Sequence, residues 1–501
     1  MLPRVALVSL DGCRQDCAMT QTVELPLWLF VLILLFAVVT FASHFLFPSV
    51  RWFFRRRLET AVRRLNKRLE RPIEPFKLAR RYDMIQRLIH DPAVMQAVSE
   101  RAAEAGVPEN VAFEEARRYA REIVPSFSAV AYFSFAIRAA RFLSNAIYRV
   151  RVAHVDEPSV AGIDKNATVI FVMNHRSNMD YVLVTYLAAD RSALSYAVGE
   201  WARVWPLSRL IRAMGAYFIR RRSRNELYRK VLAAYVRLAT KGGVTQAIFP
   251  EGGLSLDGAM AQAKLGLLKY IVEGSEAQNG QDGKDVVFVP VALNYDRVLE
   301  DKILTSAARI GQRRFKARIG IIMFRMLRQF WLWLTGRYHR FGYAAVSFGR
   351  PLSLSEIAAD RSQDARTKAL SRELMARIGE AVPLAPVPVV AWILLHRGAM
   401  DRAGLEAEIT RLTADLPLAH LHLPEGGEAH AVDVALRQLL RRRLLREGAD
   451  GRLTIRDGQA DLMSYYANSI AHLMPPPDPA PDLYEGTATD AVAENAASAR
   501  L

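Results

Sequence analysis

Cysteine is nearly absent from this chain. Its 501 residues include only Cys13 and Cys17, both ahead of the first long apolar run. A structural zinc site usually takes four cysteine or histidine ligands, and no later cysteine exists for pairing. Zinc motifs with paired histidines are missing from the sequence as well. We therefore assign the two cysteines no function, and we expect neither a metal nor another cofactor.

Acidic residues are scarce beside basic ones, at 51 against 68, which gives a net charge of +17. A surplus of this size suits an anionic partner, either nucleic acid or an anionic membrane surface. No nucleic-acid-binding motif is present, and the aromatic residues do not interleave with the basic runs as a base-stacking platform requires. We expect the partner to be anionic membrane lipids. Charge is the sole argument for nucleic acid, and we do not expect it as a partner.

Charged residues are missing altogether from residues 25–47, a run longer than the ~20 apolar residues that span a bilayer. The length of this run and the lack of a nearby small-residue cleavage site argue against a cleaved signal peptide. A buried core helix is the alternative. Arginines and lysines cluster between residues 51 and 68. The positive-inside rule therefore predicts a single-pass protein of the cell membrane, with residues 1–24 outside and everything after Phe47 in the cytoplasm.

The remaining chain divides into four regions by pattern. A basic helical region, 48–150, shows helix-like spacing at 81–99 and 110–123. Residues 151–358 alternate strands and helices, residues 359–474 are mainly helical, and the Pro-rich, then acidic tail 475–501 is predicted to be disordered. The predicted strands are 168–173, 194–198, 244–249, 286–291 and 344–348, and the predicted helices between them are 179–189, 200–213, 225–240 and 260–273. Continuous apolar strands separated by helices predict an α/β domain with a largely buried sheet covered by helices.

A histidine precedes an aspartate by five positions twice in this chain. His175 and Asp180 directly follow the predicted strand 168–173, whereas His396 and Asp401 follow a helix-like run. Such a pair can serve as a general base and its orienting partner, which acyl transfer needs because an alcohol is a poor nucleophile until its proton is removed. Asp401 is predicted to cap the next helix instead. We predict that His175 and Asp180 are catalytic; the alternative is a structural turn with a satisfied histidine.

Three further blocks follow His175 in a fixed order, at residues 215–222, 249–253 and 287–291. Together with the first block they resemble the glycerolipid acyltransferases, over roughly residues 150–355. A last block, residues 465–472, resembles the C-terminal part of the glycerol-3-phosphate acyltransferase branch. The resemblance implies a mixed α/β sheet of that family's type and an enzyme that transfers acyl groups.

The resemblance also implies roles for single residues. Arg221, with Arg220 beside it, matches the arginine that contacts the acceptor's phosphate, and a guanidinium fork suits that anion. Glu251, Gly252 and Gly253 match a block that helps bind the acceptor; glycines leave backbone N–H groups open to a phosphate.

Pro290 lies in the fourth block, which the family associates with the acyl donor; a buried strand with a proline near its end is the alternative.

Two positions depart from the family. Leu254 and Leu256 stand where the branch usually has arginines. The loss of two phosphate contacts puts the acceptor's identity in question more than the reaction type.

These observations predict a membrane-anchored acyltransferase. It would move a fatty acyl group from acyl-CoA or acyl-acyl carrier protein to the sn-1 hydroxyl of glycerol 3-phosphate, giving lysophosphatidic acid for phospholipid synthesis. Acylation of lysophosphatidic acid itself is one alternative, against which the block at 465–472 argues. A non-catalytic membrane scaffold of the same fold is another; the leucines favour it mildly, and the intact His175 and Asp180 oppose it.

Overall fold

The structure, a computed structural model, describes residues 25–475 except for gaps at 156, 188–191, 200–202, 204–206, 221–222, 224, 277–283, 312–330, 332–334, 336–339, 358–361, 415 and 417–426. The chain forms two compact units, residues 1–69 and 70–501. The domain boundaries at 150, 358 and 474 stay predictions. The predicted outer segment 1–24 and nearly all of the tail predicted to be disordered lie outside the described residues.

The first unit contains one long helix, α1 (Leu27–Asn66). Its N-terminal half exposes large apolar side chains, among them Trp28, Leu35 and Phe36. Within the described part of the chain, no helix is both long enough and apolar enough to cross a membrane. The span predicted over 25–47 is therefore unsupported by the structure. The helix continues past Phe47, the end of the predicted span, to Asn66, because the basic segment that follows is rich in arginine, which favours helix.

The second unit opens with helices that frame the sheet. They are α2 (Pro75–Leu78), α3 (Arg81–Ile89), α4 (Pro92–Ala105), α5 (Glu109–Ile123) and α6 (Ile137–Ile147), the last preceded by a π-helical turn, Ala131–Ala136. Asp91 separates α3 from α4, since its side chain accepts a hydrogen bond from Ala93 N at 3.0 Å and Pro92 then starts the new helix. Asp–Pro is a strong helix start, because proline lacks an N–H that would otherwise be unsatisfied there.

Eight strands of the described chain form one mixed sheet in the order β1-β7-β6-β2-β5-β3-β4, with β8 beside β6. The strands are β1 (Arg149–Val155), β2 (Thr168–Met173), β3 (Ser195–Gly199), β4 (Tyr217–Ile219), β5 (Gln246–Ile248), β6 (Val286–Tyr295), β7 (Tyr343–Phe348) and β8 (Leu352–Ser353). Strands β6, β2, β5, β3 and β4 run parallel, whereas β7 is antiparallel to β6 and parallel to β1. The mixed, buried sheet is thus as expected.

Three strands show where the apolar pattern predicts the sheet correctly and where it does not. Every residue of β2 is buried, as a continuous apolar run between two helical layers predicts. Strand β6 is longer than the predicted 286–291 and ends at Tyr295, beyond the carboxyl end of β2. Edge strand β1 alternates Arg and Val, so it lacks the continuous apolar run by which the central strands were recognised.

The helices around and after the sheet complete the second unit. They are α7 (Glu157–Ala161), α8 (Met179–Leu187), α9 (Leu207–Ala213), α10 (Glu226–Lys241), α11 (Gly266–Glu276), α12 (Asp301–Ile310), α13 (Gln363–Glu380), α14 (Pro386–His396), α15 (Arg402–Thr413), α16 (Gly427–Arg441) and α17 (Ala460–Ala467). A hairpin of β9 (Leu445–Glu447) and β10 (Leu453–Ile455) precedes α17. Helix α14 is buried from Pro386 to Leu394 and packs against α16 and α17, so it is the core of the C-terminal region.

Candidate active site

The parallel strands bring the predicted site residues to one edge of the sheet. His175 lies two residues past the end of β2, and Glu251 lies three past the end of β5, which pairs directly with β2. Arg220 directly follows β4. The carboxyl ends of parallel strands share an edge, which is where open α/β sheets place their ligand sites.

His175 and Asp180 form a buried pair. The imidazole Nδ1 lies 2.9 Å from Asp180 Oδ2, and the side chains are 1% and 0% exposed. The carboxylate can only accept, so Nδ1 carries the proton and Nε2 is left as the basic nitrogen. Within the described residues no hydrogen bond engages Nε2. This is the tautomer that a general base needs.

Asp180 is held by three donors besides the histidine. The backbone N–H groups of Arg176 and Ser177 donate to Oδ2 at 2.8 and 3.0 Å, and the Tyr295 hydroxyl donates to Oδ1 at 2.6 Å. The carboxylate sits in the first turn of α8. Hydrogen bonds to an anion are stronger than neutral ones, so this set fixes the orientation of the carboxylate before any substrate binds.

The imidazole ring is fixed by packing as well. The ring of Phe249 stacks on it with centroids 4.1 Å apart and an interplanar angle of 28°, and Tyr181 meets it edge-on at 5.5 Å. Both contacts follow from the order of the strands in the sheet, because Phe249 directly follows β5, the neighbour of β2, and Tyr181 lies at the start of α8. A ring clamped on two sides loses little freedom when it acts as a base.

The additional length of β6 positions the catalytic turn. Asn174 imitates a further strand residue, since its side chain donates to Leu293 O at 2.9 Å and accepts from Leu293 N at 2.8 Å. The same strand carries Tyr295, the donor to Asp180. Ser177 holds the same turn from within, as its Oγ accepts from Met179 N at 3.1 Å.

Glu300, at the start of α12, was missed by the sequence analysis. Its carboxylate accepts from Ser177 Oγ at 2.8 Å and from Asn178 Nδ2 at 3.0 Å. Burial raises the pKa of Glu300, and the hydrogen bonds from Ser177 and Asn178 oppose that shift. Nothing in the sequence connects this glutamate with a turn more than a hundred positions earlier; only the fold does so.

Glu251 bridges two loops. Its Oε1 accepts from His175 N at 3.0 Å, and its Oε2 accepts from Ala261 N at 3.1 Å. The side chain is buried, and burial raises the pKa of Glu251 while the charge of Arg176 opposes that shift. Both oxygens are thus engaged by the protein. A direct contact of Glu251 with the acceptor remains a prediction.

Lys264 lies over the turn formed by Glu251, Gly252 and Gly253. A Cβ added to Gly252 would meet Lys264 Cδ at 2.8 Å and Nζ at 3.0 Å, and Gly252 has a φ of +69°, which favours glycine. Lys264 N donates to Pro250 O at 2.8 Å, which folds the loop back to this point. The sequence analysis did not single out this ammonium.

Leu254 and Leu256 are partly buried, and their side chains pack against the hydrophobic core. The positions where the branch usually has arginines therefore contribute packing in this chain.

Arg220 is engaged by a carboxylate. Its Nε and Nη2 donate to Glu122 of α5 at 2.9 and 2.7 Å, and its guanidinium lies over the rings of Tyr119 and Tyr228. The hydrogen bonds that Arg220 donates to Glu122 raise the pKa of Arg220. Arg221 lies outside the described residues. Phosphate binding by these two arginines stays a prediction, and for Arg220 it requires that the phosphate share or replace Glu122.

Pro290 lies in the middle of β6, not near its end. It is buried, stands opposite Val172 of β2, and its carbonyl oxygen accepts from Gly349 N at 2.9 Å. Proline is unusual in a central strand because it cannot donate to the ladder. Its association with the acyl donor stays a prediction.

The second histidine–aspartate pair is separated in the structure. His396 Nδ1 lies 2.8 Å from Trp392 O of its own helix, and its ring stacks on that tryptophan. Asp401 caps α15 by accepting from Gly404 N at 2.9 Å, as predicted. The geometry of a base and its orienting carboxylate therefore occurs at His175 and not at His396.

The block at 465–472 closes over the catalytic turn. Arg176 Nη2 donates to Ser469 O at 3.2 Å, and Asn468 Nδ2 donates to Asp257 O at 3.0 Å. The Tyr466 hydroxyl donates to Asp301 of α12, next to Glu300. The C-terminal region therefore contacts the catalytic turn, the loop after β5 and the start of α12.

Comparison with known proteins gives two matches on this chain. Residues 154–294 match the acyltransferase family, and residues 330–477 match the glycerol-3-phosphate acyltransferase C-terminal region. The first match contains His175, Asp180 and Glu251, and the second contains the block at 465–472. All four core blocks lie within the first match, which ends at residue 294 and so is shorter than the range of roughly 150–355 drawn from the sequence.

Curated relatives carry the same name. A glycerol-3-phosphate acyltransferase of Pseudomonas putida is 29% identical over 428 residues, which is 79% of this chain and 49% of that protein. One from Xylella fastidiosa is 29% identical over 453 residues, or 83% of this chain and 50% of that protein. The chain thus spans about half the length of the curated relatives it matches.

Among solved structures, a 1-acyl-sn-glycerophosphate acyltransferase from Thermotoga maritima matches 49% of this chain and 77% of its own, at 19% identity and a TM-score of 0.29. The family matches and the curated relatives confirm the resemblance drawn from the four blocks: residues 154–294 carry an acyltransferase domain, and residues 330–477 resemble the glycerol-3-phosphate acyltransferase C-terminal region.

Proposed function

We propose that this chain transfers a fatty acyl group from a thioester, acyl-CoA or acyl-acyl carrier protein, to the sn-1 hydroxyl of glycerol 3-phosphate. The product is lysophosphatidic acid. The observation that carries the proposal is the buried pair of His175 and Asp180, with Nδ1 bonded and Nε2 left as the basic nitrogen. The C-terminal match and the names of the relatives support glycerol 3-phosphate as the acceptor.

The chemistry follows from this geometry. His175 Nε2 takes the proton of the acceptor's hydroxyl while the oxygen attacks the thioester carbonyl. Asp180 stabilises the imidazolium that forms. The tetrahedral intermediate collapses with loss of thiolate, and the thiolate recovers the proton from His175. The products are an ester and a free thiol, and the enzyme returns to its starting state.

Recognition of the acceptor needs cations near the catalytic turn. Arg220 and Arg221 are the predicted contacts, and Lys264 lies over the glycine turn after β5. Neighbouring strands lie about 4.8 Å apart, so β2 and β4, three steps apart in the sheet, are separated by roughly 14 Å. Lys264 folds back to the end of β5, next to β2, and compensates for the arginines that Leu254 and Leu256 replace.

We also propose that the protein is anchored to the cell membrane through residues 25–47, with the catalytic unit on the cytoplasmic side. The exposed apolar side chains of α1 support an association with lipid, since soluble surfaces rarely expose so many together. The basic residues after Phe47 support the orientation and an attraction to anionic lipids.

The test uses the purified full-length protein with either acyl-CoA or acyl-acyl carrier protein as the donor and either glycerol 3-phosphate or lysophosphatidic acid as the acceptor. We expect turnover with glycerol 3-phosphate, and we expect His175→Ala to lower kcat by ~10²–10⁴-fold. His396→Ala is the matched control, because it removes a histidine of the same sequence pattern outside the site. A preference for lysophosphatidic acid would replace the acceptor assignment. Absence of turnover with both acceptors and both thioesters would support a scaffold.

A further inference from the structure

Arg176, the residue directly after the catalytic histidine, is buried without enough partners. It is 2% exposed, and the single hydrogen bond of its side chain within the described residues runs from Nη2 to Ser469 O. The remaining guanidinium atoms Nε and Nη1 are buried and donate to nothing in that part of the chain. A buried charge with two unmet donors is costly, so a position that keeps one calls for an explanation.

The surroundings of Arg176 contain a second unmet group. The hydroxyl of Tyr465 is also buried without a hydrogen-bond partner among the described residues. Burial raises the pKa of Tyr465, and the charge of Arg176 opposes that shift, which places the two groups within electrostatic reach of each other. Arg176 acts in the same way on Glu251, although no ion pair joins them in the described chain.

We propose that Arg176 Nε and Nη1, with the Tyr465 hydroxyl, form a subsite for the acceptor's phosphate. This inference rests on the proposed function, because it deepens the recognition of glycerol 3-phosphate at the same site. Three buried donors without a partner, on two side chains that interact electrostatically, match the acceptor oxygens of a phosphate monoester. A guanidinium fork binds such an anion with two hydrogen bonds.

The position of Arg176 favours the acceptor over the donor as the source of the phosphate. The backbone N–H of Arg176 donates to Asp180, so Arg176 belongs to the turn that contains His175 and Asp180. In glycerol 3-phosphate the reacting hydroxyl and the phosphate are three carbons apart. The phosphates of acyl-CoA lie much farther from the reacting carbonyl, because the whole pantetheine arm separates them.

The subsite also gives the C-terminal region a role in specificity. Tyr465 and Ser469 both belong to the block at 465–472, and Arg176 belongs to the acyltransferase match. An acceptor phosphate between them would be bound by groups from both regions.

The test compares acceptors with and without a phosphate. The variants Arg176→Lys, Arg176→Met and Tyr465→Phe are assayed in the full chain with glycerol 3-phosphate and with glycerol. We expect Arg176→Met to raise KM for glycerol 3-phosphate about tenfold to a hundredfold, since hydrogen bonds to charged groups contribute that much. Tyr465→Phe should have a smaller effect of the same kind. For both variants, the loss of rate with glycerol and the change in KM for the acyl donor should be much smaller than the loss of kcat/KM with glycerol 3-phosphate.

The controls separate recognition from positioning. Arg366→Met removes a guanidinium that likewise donates to a backbone carbonyl, Leu354 O, outside the site, and should leave both acceptors unaffected. An equal loss with glycerol and glycerol 3-phosphate would mean that Arg176 only positions His175, and this would overturn the proposal. A rise in KM for acyl-CoA but not for glycerol 3-phosphate would assign the subsite to the donor and would also overturn it.

Direct binding keeps this inference separate from the proposed function. Titration of the full chain with glycerol 3-phosphate, without an acyl donor, should show weaker binding to the Arg176→Met variant than to the wild type. Weaker binding without any turnover by the wild type would contradict the proposed function and support the subsite. Equal binding to both proteins, with a preserved fold by circular dichroism, would exclude the subsite. Arg176→Lys serves as the milder variant if the methionine variant does not fold.

Discussion

Replacement of Asp180 by asparagine tests the catalytic pair with the least disturbance of structure. In the wild type, Oδ2 accepts from His175 Nδ1, Arg176 N and Ser177 N, and Oδ1 accepts from the Tyr295 hydroxyl. An asparagine fits this set in one orientation. Its carbonyl oxygen takes the place of Oδ2 and faces three donors, and its amide N–H₂ takes the place of Oδ1 and donates to the tyrosine oxygen.

The magnitude follows from this placement. Asp180→Asn keeps the histidine tautomer, because an oxygen still faces Nδ1, and it removes only the negative charge that stabilises the imidazolium. Hydrogen bonds to charged groups contribute ~1.5–3 kcal/mol, against ~0.5–1.5 kcal/mol for neutral ones. If the difference of about 1–1.5 kcal/mol appears in the transition state, kcat falls by roughly fivefold to tenfold. Asp180→Ala should be much worse for the fold, because it leaves four buried donors without an acceptor.

The assay measures kcat with glycerol 3-phosphate together with the thermal midpoint, Tm. The control is Asp401→Asn, which replaces an aspartate at the same sequence spacing with an equally good helix cap, so neither kcat nor Tm should change. Wild-type kcat in the folded Asp180→Asn variant would refute the role of the charge. A large loss of Tm in that variant would refute the orientation that we assign to the asparagine.

Three further predictions address pH, the C-terminal region and the membrane. Burial raises the pKa of Asp296 to about 7, so protonation of this carboxyl stabilises the folded state below about pH 4, and the stabilisation is lost as the pH rises to about 7. The Tm of the wild type relative to that of Asp296→Asn should therefore fall between these pH values. A constant difference in Tm would contradict the raised pKa. Gly258→Ala should lower Tm and activity, because a Cβ there would overlap the Tyr465 carbonyl oxygen. The control is Gly106→Ala, which also has a positive φ but open space around it, and which should show only the small cost of the backbone conformation. Equal effects of the two substitutions would argue against tight packing at Gly258. With Cys13 and Cys17 replaced by serine, a cysteine introduced at Ala480 should react with an impermeant thiol reagent only after the cells are permeabilised, and labelling of intact cells would reverse the proposed orientation.

The sequence predicts the central strands and the pairing of His175 with Asp180 well, and both for local reasons. A strand buried on two faces needs a continuous apolar run, so β2 coincides with its predicted range. The turn after such a strand lies at the edge where ligands bind, which is why His175 and Glu251 meet as expected. Helix caps are equally local, and Asp401 is placed correctly for that reason.

The supporting residues depend on contacts that no local pattern contains. Tyr295 reaches Asp180 only because β6 extends beyond β2, and the polar residue Asn294 makes that extension hard to see in the sequence. Glu300 approaches the catalytic turn through the start of α12. The contact of Arg220 with Glu122 joins β4 to α5, an element that the sequence analysis left without a role. Each of these pairs becomes adjacent only when the sheet order and the helix packing are known.

The catalytic turn is short, so its geometry depends on the elements around it. Strand β6 holds its start through Asn174, Glu251 holds the backbone of His175, and Glu300 holds Ser177. The C-terminal region adds the bond between Arg176 and Ser469. Four separate parts of the chain therefore restrain one seven-residue turn, and each restraint is made before a substrate binds. A base held in this way needs little reorganisation in the transition state, and we therefore predict that the contact of the C-terminal region with this turn contributes to catalysis.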